Sequence, residues 1–305
     1  MLSSFAEMTA AFPWFFPIAV VIFGACIGSF LNVVIYRVPA EKSIVTPGSH
    51  CACGQPIAWY DNIPVFSWLL LRGKARCCGR RFSFRYPFVE LLTAGLFLAC
   101  WLKFFPAIGV VICGWIFISA LICATFIDLD HMIIPDVFTL GLGICGVALS
   151  FAVPALHGQH ADFFALSSMK SGTIALQGLC VGSGFLLWFA LLAEVVLKKE
   201  SMGFGDVKFV GAIGAFCGWK GAIFSIFGGA VIGTVWFGLA WLWQKTSGKS
   251  SPISPRAETA EGTPATLGFG VHIPFGPTLA IAGGLYFLFF HRVVEAWFAE
   301  FSTLF

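Results

Sequence analysis

Charge is scarce in this chain of 305 residues: Asp, Glu, Lys and Arg make up 11% of it, against about 25% in soluble domains. That shortage excludes a single soluble globule, and with it the charge-rich disordered and coiled-coil classes. The formal net charge is only +3, and no basic patch points to nucleic acid. Two further absences matter. No Lys or Arg precedes the first apolar run, so the basic region that opens a cleaved signal peptide is missing and the run is expected to stay. No repeat of fixed period is visible, which leaves the inverted-repeat plan of secondary transporters without support. What is present is apolar. Hydrophobic residues make up 58% of the chain and the mean hydropathy is +0.90, a composition that leaves multiple membrane spans.

A spanning helix needs about 20 mostly apolar residues. The pattern predicts an all-α polytopic membrane protein of about eight spans, at 14–36, 88–105, 107–127, 134–155, 173–197, 207–219, 221–243 and 274–290. The sixth is too short to cross about 30 Å at 1.5 Å per residue, so it is expected to begin in irregular backbone that is buried by protein or wet. Basic residues set the orientation. Arg37, Lys42, Arg72, Lys74, Arg76, Arg80, Arg81 and Arg85 gather in or beside the 38–86 loop, and six more fall on the same side. Only Lys103, Lys170, Lys220 and Arg292 fall on the other. This asymmetry predicts a cytoplasmic 38–86 loop and two outer termini. The chain divides into an N-terminal region, 14–105, and a second unit, 107–290. The Ser-, Pro- and Gly-rich stretch at 244–273 is read as a flexible cytoplasmic linker. The pairs Gly24/Gly28, Gly214/Gly218 and Gly229/Gly233 are spaced for close helix packing.

Seven of the eleven Cys lie in apolar spans and read as small hydrophobes. The other four, Cys51, Cys53, Cys77 and Cys78, share the 38–86 loop. A reducing cytoplasm argues against structural disulfides, and two pairs of thiols suggest tetrahedral Zn²⁺. Against this, the pairs are C-x-C and C-C, and adjacent Cys side chains diverge. Both readings stay open: a zinc site, or a loop with spare thiols.

A carboxylate in or near hydrocarbon is costly and usually functional. Six of the fifteen acidic residues lie in or beside spans: Glu90, Asp128, Asp130, Asp136, Glu194 and Asp206. Two patterns stand out, Ile127-Asp128-Leu129-Asp130 running on to Pro135-Asp136, and Gly203-Phe204-Gly205-Asp206. Both are predicted at the cytoplasmic face, where two carboxyls distant in sequence can share one cleft. Such a pair shares a proton: one member activates water and the other protonates a scissile carbonyl. The glycines before Asp206 allow an extended substrate to lie close. Helix capping by Asp206 and Asp136, and an ion or proton pathway, are the competing readings.

G-F-G-D at 203–206 resembles the GxGD signature of membrane-embedded aspartic proteases. With I-D-L-D-H-M-I-I-P-D at 127–136 it is similar to the bacterial prepilin leader peptidases. The resemblance extends to G-S-F-L-N-V-V-I-Y-R-V-P at 28–39, W-Y-D-N-I-P-V-F-S-W-L-L-L-R-G-K at 59–74, R-Y-P-F-V-E at 85–90 and I-P-F-G-P at 273–277. It implies an inner-membrane aspartic peptidase, seated in the 107–290 unit, that cuts the basic leader from type IV prepilins and pseudopilins at the cytoplasmic face, usually after Gly. It also implies methylation of the new N-terminal residue from S-adenosylmethionine. On the family's motifs the catalytic aspartates are Asp128 and Asp206, and Asp130 and Asp136 are not. Arg85 and Glu90 are candidates for the methyl-donor site, or else a structural pair holding the loop on the second span. The family usually carries two C-x-x-C pairs; here the first is one residue short and Ala75 stands where the third Cys would be. A GxGD protease acting on other transmembrane substrates, and a peptidase without methyltransferase activity, are the alternatives.

Overall fold

Lipid offers no partner to a backbone N–H or C=O, so an apolar run that enters it must satisfy these groups within the run, as a helix. The computed structural model describes residues 11–51, 53–198, 202–247 and 274–302. Its long elements are α1 (Phe15–Arg37), α3 (Arg85–Phe104), α4 (Ile108–His131), α5 (Leu142–Ala152), α6 (Phe164–Leu197), α7 (Phe204–Ser247), α8 (Gly276–Leu285) and α9 (His291–Ser302). A short helix, α2 (Phe66–Leu70), lies in the loop between α1 and α3. Single π turns, Val137–Gly141 and Tyr286–Phe290, lead into α5 and α9. Apart from two isolated bridges, His50–Pro56 and Lys74–Arg81, the described residues contain no β pairing.

Six helical runs are long and apolar enough to cross a membrane, and the run Val137–Ala152 is a shorter apolar one. This differs from eight similar spans chiefly at α7. The predicted spans 207–219 and 221–243 form one helical run of 44 residues with non-helical backbone at Gly218, φ 70° and ψ 177°. A Cβ on Gly182 would lie 2.9 Å from Ala222 Cβ and 3.0 Å from the Val210 carbonyl oxygen. In an unbroken helix those two residues would stand about 18 Å apart. The chain therefore reverses at Gly218, and the two arms of α7 pack beside α6. The reversal needs a positive φ and close backbone approach, which glycine supplies: a Cβ on Gly178 would lie 2.0 Å from the Gly214 carbonyl oxygen.

The second difference is at α6, which starts at Phe164, nine residues ahead of the predicted span 173–197. Packing overrides the polar composition there. Ser168 Oγ donates to the Phe151 carbonyl at 2.6 Å, and the Phe151 ring fills the space over Gly172. The linker predicted at 244–273 lies outside the described residues from 248 onward; its first four residues continue α7.

The remaining glycine pairs do what their spacing predicts. Gly24 and Gly28 bring α1 within contact of the Ala94 and Glu90 backbone of α3, and Gly229 packs on Leu279 of α8. The core lies where α4, α7 and α8 meet: Phe117 stacks on Phe216 at 4.8 Å and meets Phe287 at 5.3 Å, all buried. This packing brings the end of α4, the start of α7 and the start of α8 to one end of the bundle.

Candidate active site at one end of the bundle

Asp128 sits in the last turn of α4 and is 5% exposed. The helix stops there because Met132 turns left-handed, φ 53°, and returns its N–H to the Asp128 carbonyl at 2.9 Å. The chain then doubles back through Ile134 towards the start of α7. Asp206 lies in the first turn of that helix, partly buried, and its N–H is bonded to the Gly203 carbonyl at 3.1 Å. Ile134 is the spacer between the two. A Cβ on Gly205 would meet Ile134 Cβ at 3.8 Å, and a Cβ on Gly276 would meet Ile134 Cδ1 at 2.8 Å. That same Gly276 Cβ would lie 2.6 Å from Asp128 Oδ2, so only glycine fits. The Gly276 N–H is hydrogen-bonded to the Asp128 carboxyl, while Oδ2 is buried with no hydrogen-bond partner. The Asp128 and Asp206 carboxyls stand within electrostatic reach of one another.

The neighbouring carboxylates are committed elsewhere. Asp130 pairs with Arg85 of α3 at 2.7 Å, and that guanidinium also donates to the Phe126 carbonyl at 3.2 Å and covers the Phe126 ring. Asp136 pairs with Lys208, and the ammonium holds its carboxyl below the usual range. Among the described ion pairs none involves Asp128 or Asp206. The arrangement is thus two carboxyls from separate helices within electrostatic reach of one another, neither in a described ion pair, flanked by two carboxylates that each hold a cation.

Arg85 and Glu90 do not pair with each other. Glu90 is buried, and its Oε2 accepts the Val65 N–H at 2.7 Å, with Ser29 as a second donor. Val65 needs that bond: it is a β-branched residue held at φ 61°, ψ −49°, ahead of α2. The loop is tied down again by Arg37, which donates to the Ser43 and Pro47 carbonyls at 2.9 and 2.7 Å. Arg76 grips Asp61 with Nε at 2.9 Å and Nη2 at 2.8 Å and holds that carboxyl below its usual range.

The four loop cysteines come together despite their spacing. Divergence of the adjacent thiols is what closes the cluster: Cys78 Sγ reaches Cys51 Sγ at 3.6 Å, and Cys77 Sγ reaches Cys53 Sγ at 3.4 Å. Each pair sits on a tight turn, closed by the Gly54 N–H on the Cys51 carbonyl and by the Gly79 N–H on the Ala75 carbonyl, both 2.8 Å. All four sulfurs lie within 4.8 Å of one another. A zinc tetrahedron with bonds of about 2.3 Å has edges of about 3.8 Å, so the cluster needs little adjustment to hold such an ion. The Cys53 backbone N–H, and after it the Cys77 thiol, lower the Cys51 thiol to about 7. Cys77 is pushed up to about 12, first by its contact with Cys53. One thiolate forms readily there, and a full set needs a cation.

The segment I-P-F-G-P at 273–277 does not by itself give Gly276 a role. The signal was a Pro-Phe-Gly-Pro turn opening an apolar helix, which reads as a helix start and says nothing of a distant carboxyl. Lys208, two residues after Asp206, reads from the sequence only as one of the six further basic residues on the cytoplasmic side.

Comparison with known proteins gives matches to two domain families. Residues 22–104 match the bacterial peptidase A24 N-terminal domain, and residues 115–238 match the type IV leader peptidase family. A prepilin leader peptidase/N-methyltransferase of Myxococcus xanthus is 38% identical over 266 residues, covering 82% of this chain and 69% of the relative. One of the same description from Xanthomonas campestris is 33% identical over 310 residues, covering 90% and 91%. A third, from Aeromonas hydrophila, is 31% identical over 324 residues, covering 97% and 98%. No solved structure matches.

Proposed function

Because this chain belongs to the type IV leader peptidase family, we propose that it cleaves the leader of type IV prepilins and pseudopilins and N-methylates the residue so exposed. It is a multi-pass inner-membrane enzyme. Asp128 and Asp206 are its catalytic pair. The observation that carries this assignment is that these two carboxyls lie within electrostatic reach of one another and in no described ion pair, beside Asp130 and Asp136, which each hold a cation.

Two close carboxyls share one proton, because two adjacent anions repel. The ionised member takes a proton from a water that attacks the scissile carbonyl carbon. The protonated member gives its proton to the carbonyl oxygen. The tetrahedral intermediate then collapses, the C–N bond breaks, and the leaving amine receives the proton that the first member took. The Gly276 N–H fixes Asp128, and its Oδ2, buried without a partner, is an oxygen that can carry the shared proton. An extended substrate strand passes over Gly203 and Gly205, where no side chain stands in the way. The basic residues of the loop lie at the same end as the aspartates, which supports a cytoplasmic active site.

Cys51, Cys53, Cys77 and Cys78 hold Zn²⁺ as a structural ion that fixes the two turns of the loop. The methyl donor implied by the relatives' description is of the S-adenosylmethionine type, which when bound would supply a methyl group from its sulfonium to a neutral terminal amine, leaving the neutral thioether. Arg85 and Glu90 do not fit as its holders, since Asp130 and Val65 already engage them.

The test is incubation with a prepilin in detergent, followed by mass measurement of the N-terminus. Asp128→Asn and Asp206→Asn should each abolish cleavage while still inserting in the membrane. Asp130→Asn and Asp136→Asn should keep at least part of it. An active Asp128→Asn beside a dead Asp130→Asn would overturn the assignment within I-D-L-D. A free N-terminal Phe peptide with labelled donor, given to Asp206→Asn, tests the second activity: label uptake is expected, since methyl transfer needs no carboxyl pair.

A further inference from the structure

The opposite end of the bundle is where basic residues are fewest, with Lys103, Lys170, Lys220 and Arg292 only. Three of those four surround one place. Lys103, Lys220 and Arg292 all act electrostatically on His291, and Glu295 is the carboxylate among them. Beside them lies a cavity of about 380 Å³, lined by His157, Gln177, Trp219, Lys220, His291 and Glu295. That is within the range of small-ligand sites. The cavity opens where the chain reverses at Gly218, between the 3₁₀ turn Pro154–His157, α6, α7 and α9.

Its walls carry one cation and one carboxylate, Lys220 and Glu295, and the further cations Lys103 and Arg292 act on His291 of the wall. Lys220 pairs with Glu295 at 2.6 Å. Lys103 donates to the Phe287 and Leu288 carbonyls at 2.9 and 2.6 Å, which fixes the ammonium without cancelling its charge. Burial lowers the His157 imidazole to about 4, so it stays neutral and hydrogen-bonds Ser150 at 3.1 Å. A second observation points to an unfilled polar need. The Tyr286 hydroxyl is fully buried with no hydrogen-bond partner, within electrostatic reach of Cys217 and Glu295, two residues of the cavity wall. The setting is interfacial. The helix α9 carries Val293 and Trp297 exposed on one face and Arg292, Glu295 and Glu300 elsewhere, and Phe298 meets Trp219 edge to face at 5.3 Å. Such helices lie at the headgroup level of a bilayer.

We propose that this cavity binds the phosphate of an anionic phospholipid headgroup, with Lys220 of its wall and Arg292 beside His291 as the cationic partners and the acyl chains running out along α9. The site takes no part in leader processing and is independent of that reading. Glu295 works against the ligand, because it competes for Lys220.

The test is native mass spectrometry of the delipidated full-length protein given equal amounts of phosphatidylglycerol and phosphatidylcholine. Phosphatidylglycerol should be retained in preference. Arg292→Gln and Lys220→Gln should each lower its retention about fivefold, the worth of one basic residue against an anionic headgroup. Glu295→Gln should raise it, and a gain is not produced by misfolding. Prepilin cleavage at the wild-type rate, read at the far end of the bundle, confirms that each variant is folded. Equal retention of the two lipids, or retention indifferent to all three substitutions, would overturn the proposal. Displacement of the lipid by millimolar sn-glycerol 1-phosphate that also binds alone would overturn the lipid assignment in favour of a soluble phosphate.

Discussion

An alanine at position 276 would place a methyl carbon 2.6 Å from Asp128 Oδ2, 3.2 Å from its Cγ and 2.8 Å from Ile134 Cδ1. Ordinary van der Waals contact begins near 3.4 Å, so the carboxyl must retreat by about 0.8 Å or α8 must shift by as much. A displacement of about 1 Å at a reacting group costs on the order of a hundredfold in rate. Stability responds much less. Overpacking costs about 1–3 kcal/mol. Gly276→Ala should therefore fold, insert and bind a prepilin peptide with near-normal KM, while kcat falls by roughly two orders of magnitude. The assay is single-turnover cleavage of a synthetic prepilin peptide in detergent, alongside a thermal midpoint. Gly233→Ala is the control: it belongs to a glycine pair too, but its nearest neighbour would be 3.7 Å away, and it should cleave normally. Wild-type kcat in Gly276→Ala, with an unchanged midpoint, would refute the placement of Asp128 against the start of α8.

The protein purified without chelator should carry about one zinc, and Cys53→Ser or Cys78→Ser should lose it; elemental analysis finding no metal in the parent protein would count against the cluster as a site. Glu90→Gln should loosen the 38–84 loop without stopping cleavage, because a charge-assisted acceptor of the Val65 N–H, worth about 1.5–3 kcal/mol, is weakened; faster limited proteolysis of the loop is the readout. Asp61 is held below its ordinary range by Arg76, so its contribution to the loop is complete above the unfolded value of about 3.9 and is lost as pH falls through the lower folded value. Amide exchange across 59–82 should show that acid opening, and Asp61→Asn should already be open at neutral pH. Gly214→Ala should fail to accumulate in the membrane, since its methyl would lie 2.1 Å from the Gly178 carbonyl oxygen; normal yield would mean that the α6–α7 contact is not so close.

What the sequence made legible was whatever depends on short range and residue type. Apolar runs gave the helices, and the isolated acids at their ends gave both carboxyls of the cleft. What escaped it depends on where distant segments meet. Hydropathy and the charge count set 207–219 and 221–243 as two spans running in opposite directions, but they do not show that helix continues up to a single residue, Gly218, whose φ of 70° carries the whole reversal. The cysteine spacing looked unfavourable because the rule for C-x-x-C assumes that both sulfurs of a pair approach from one turn. Here Cys77 and Cys78 point apart and each finds a different partner across the loop. Arg85 and Glu90 lie five residues apart on one helix and read as a pair. Their actual partners, Asp130 and the Val65 N–H, come from segments that no local pattern connects.

The arm of α7 that begins beside Asp206 has consequences for the lipid around it. From Phe204 to Cys217 it has 14 residues, a rise of about 21 Å, set against a hydrocarbon layer of about 30 Å. If the Gly218 reversal reaches one surface, the aspartate end stops roughly 9 Å short of the other. The bilayer must dimple there, drawing headgroups and water down to the carboxyls, or leave them below the plane of its neighbours. Either way a pilin anchored by its own apolar helix can be cut where that helix emerges, without first being pulled out of the membrane. With Asp128 and Asp206 as the proposed catalytic pair, the thinness of the enzyme at this point sets the depth of the scissile bond, much as the length of a ruler's notch sets where a blade falls.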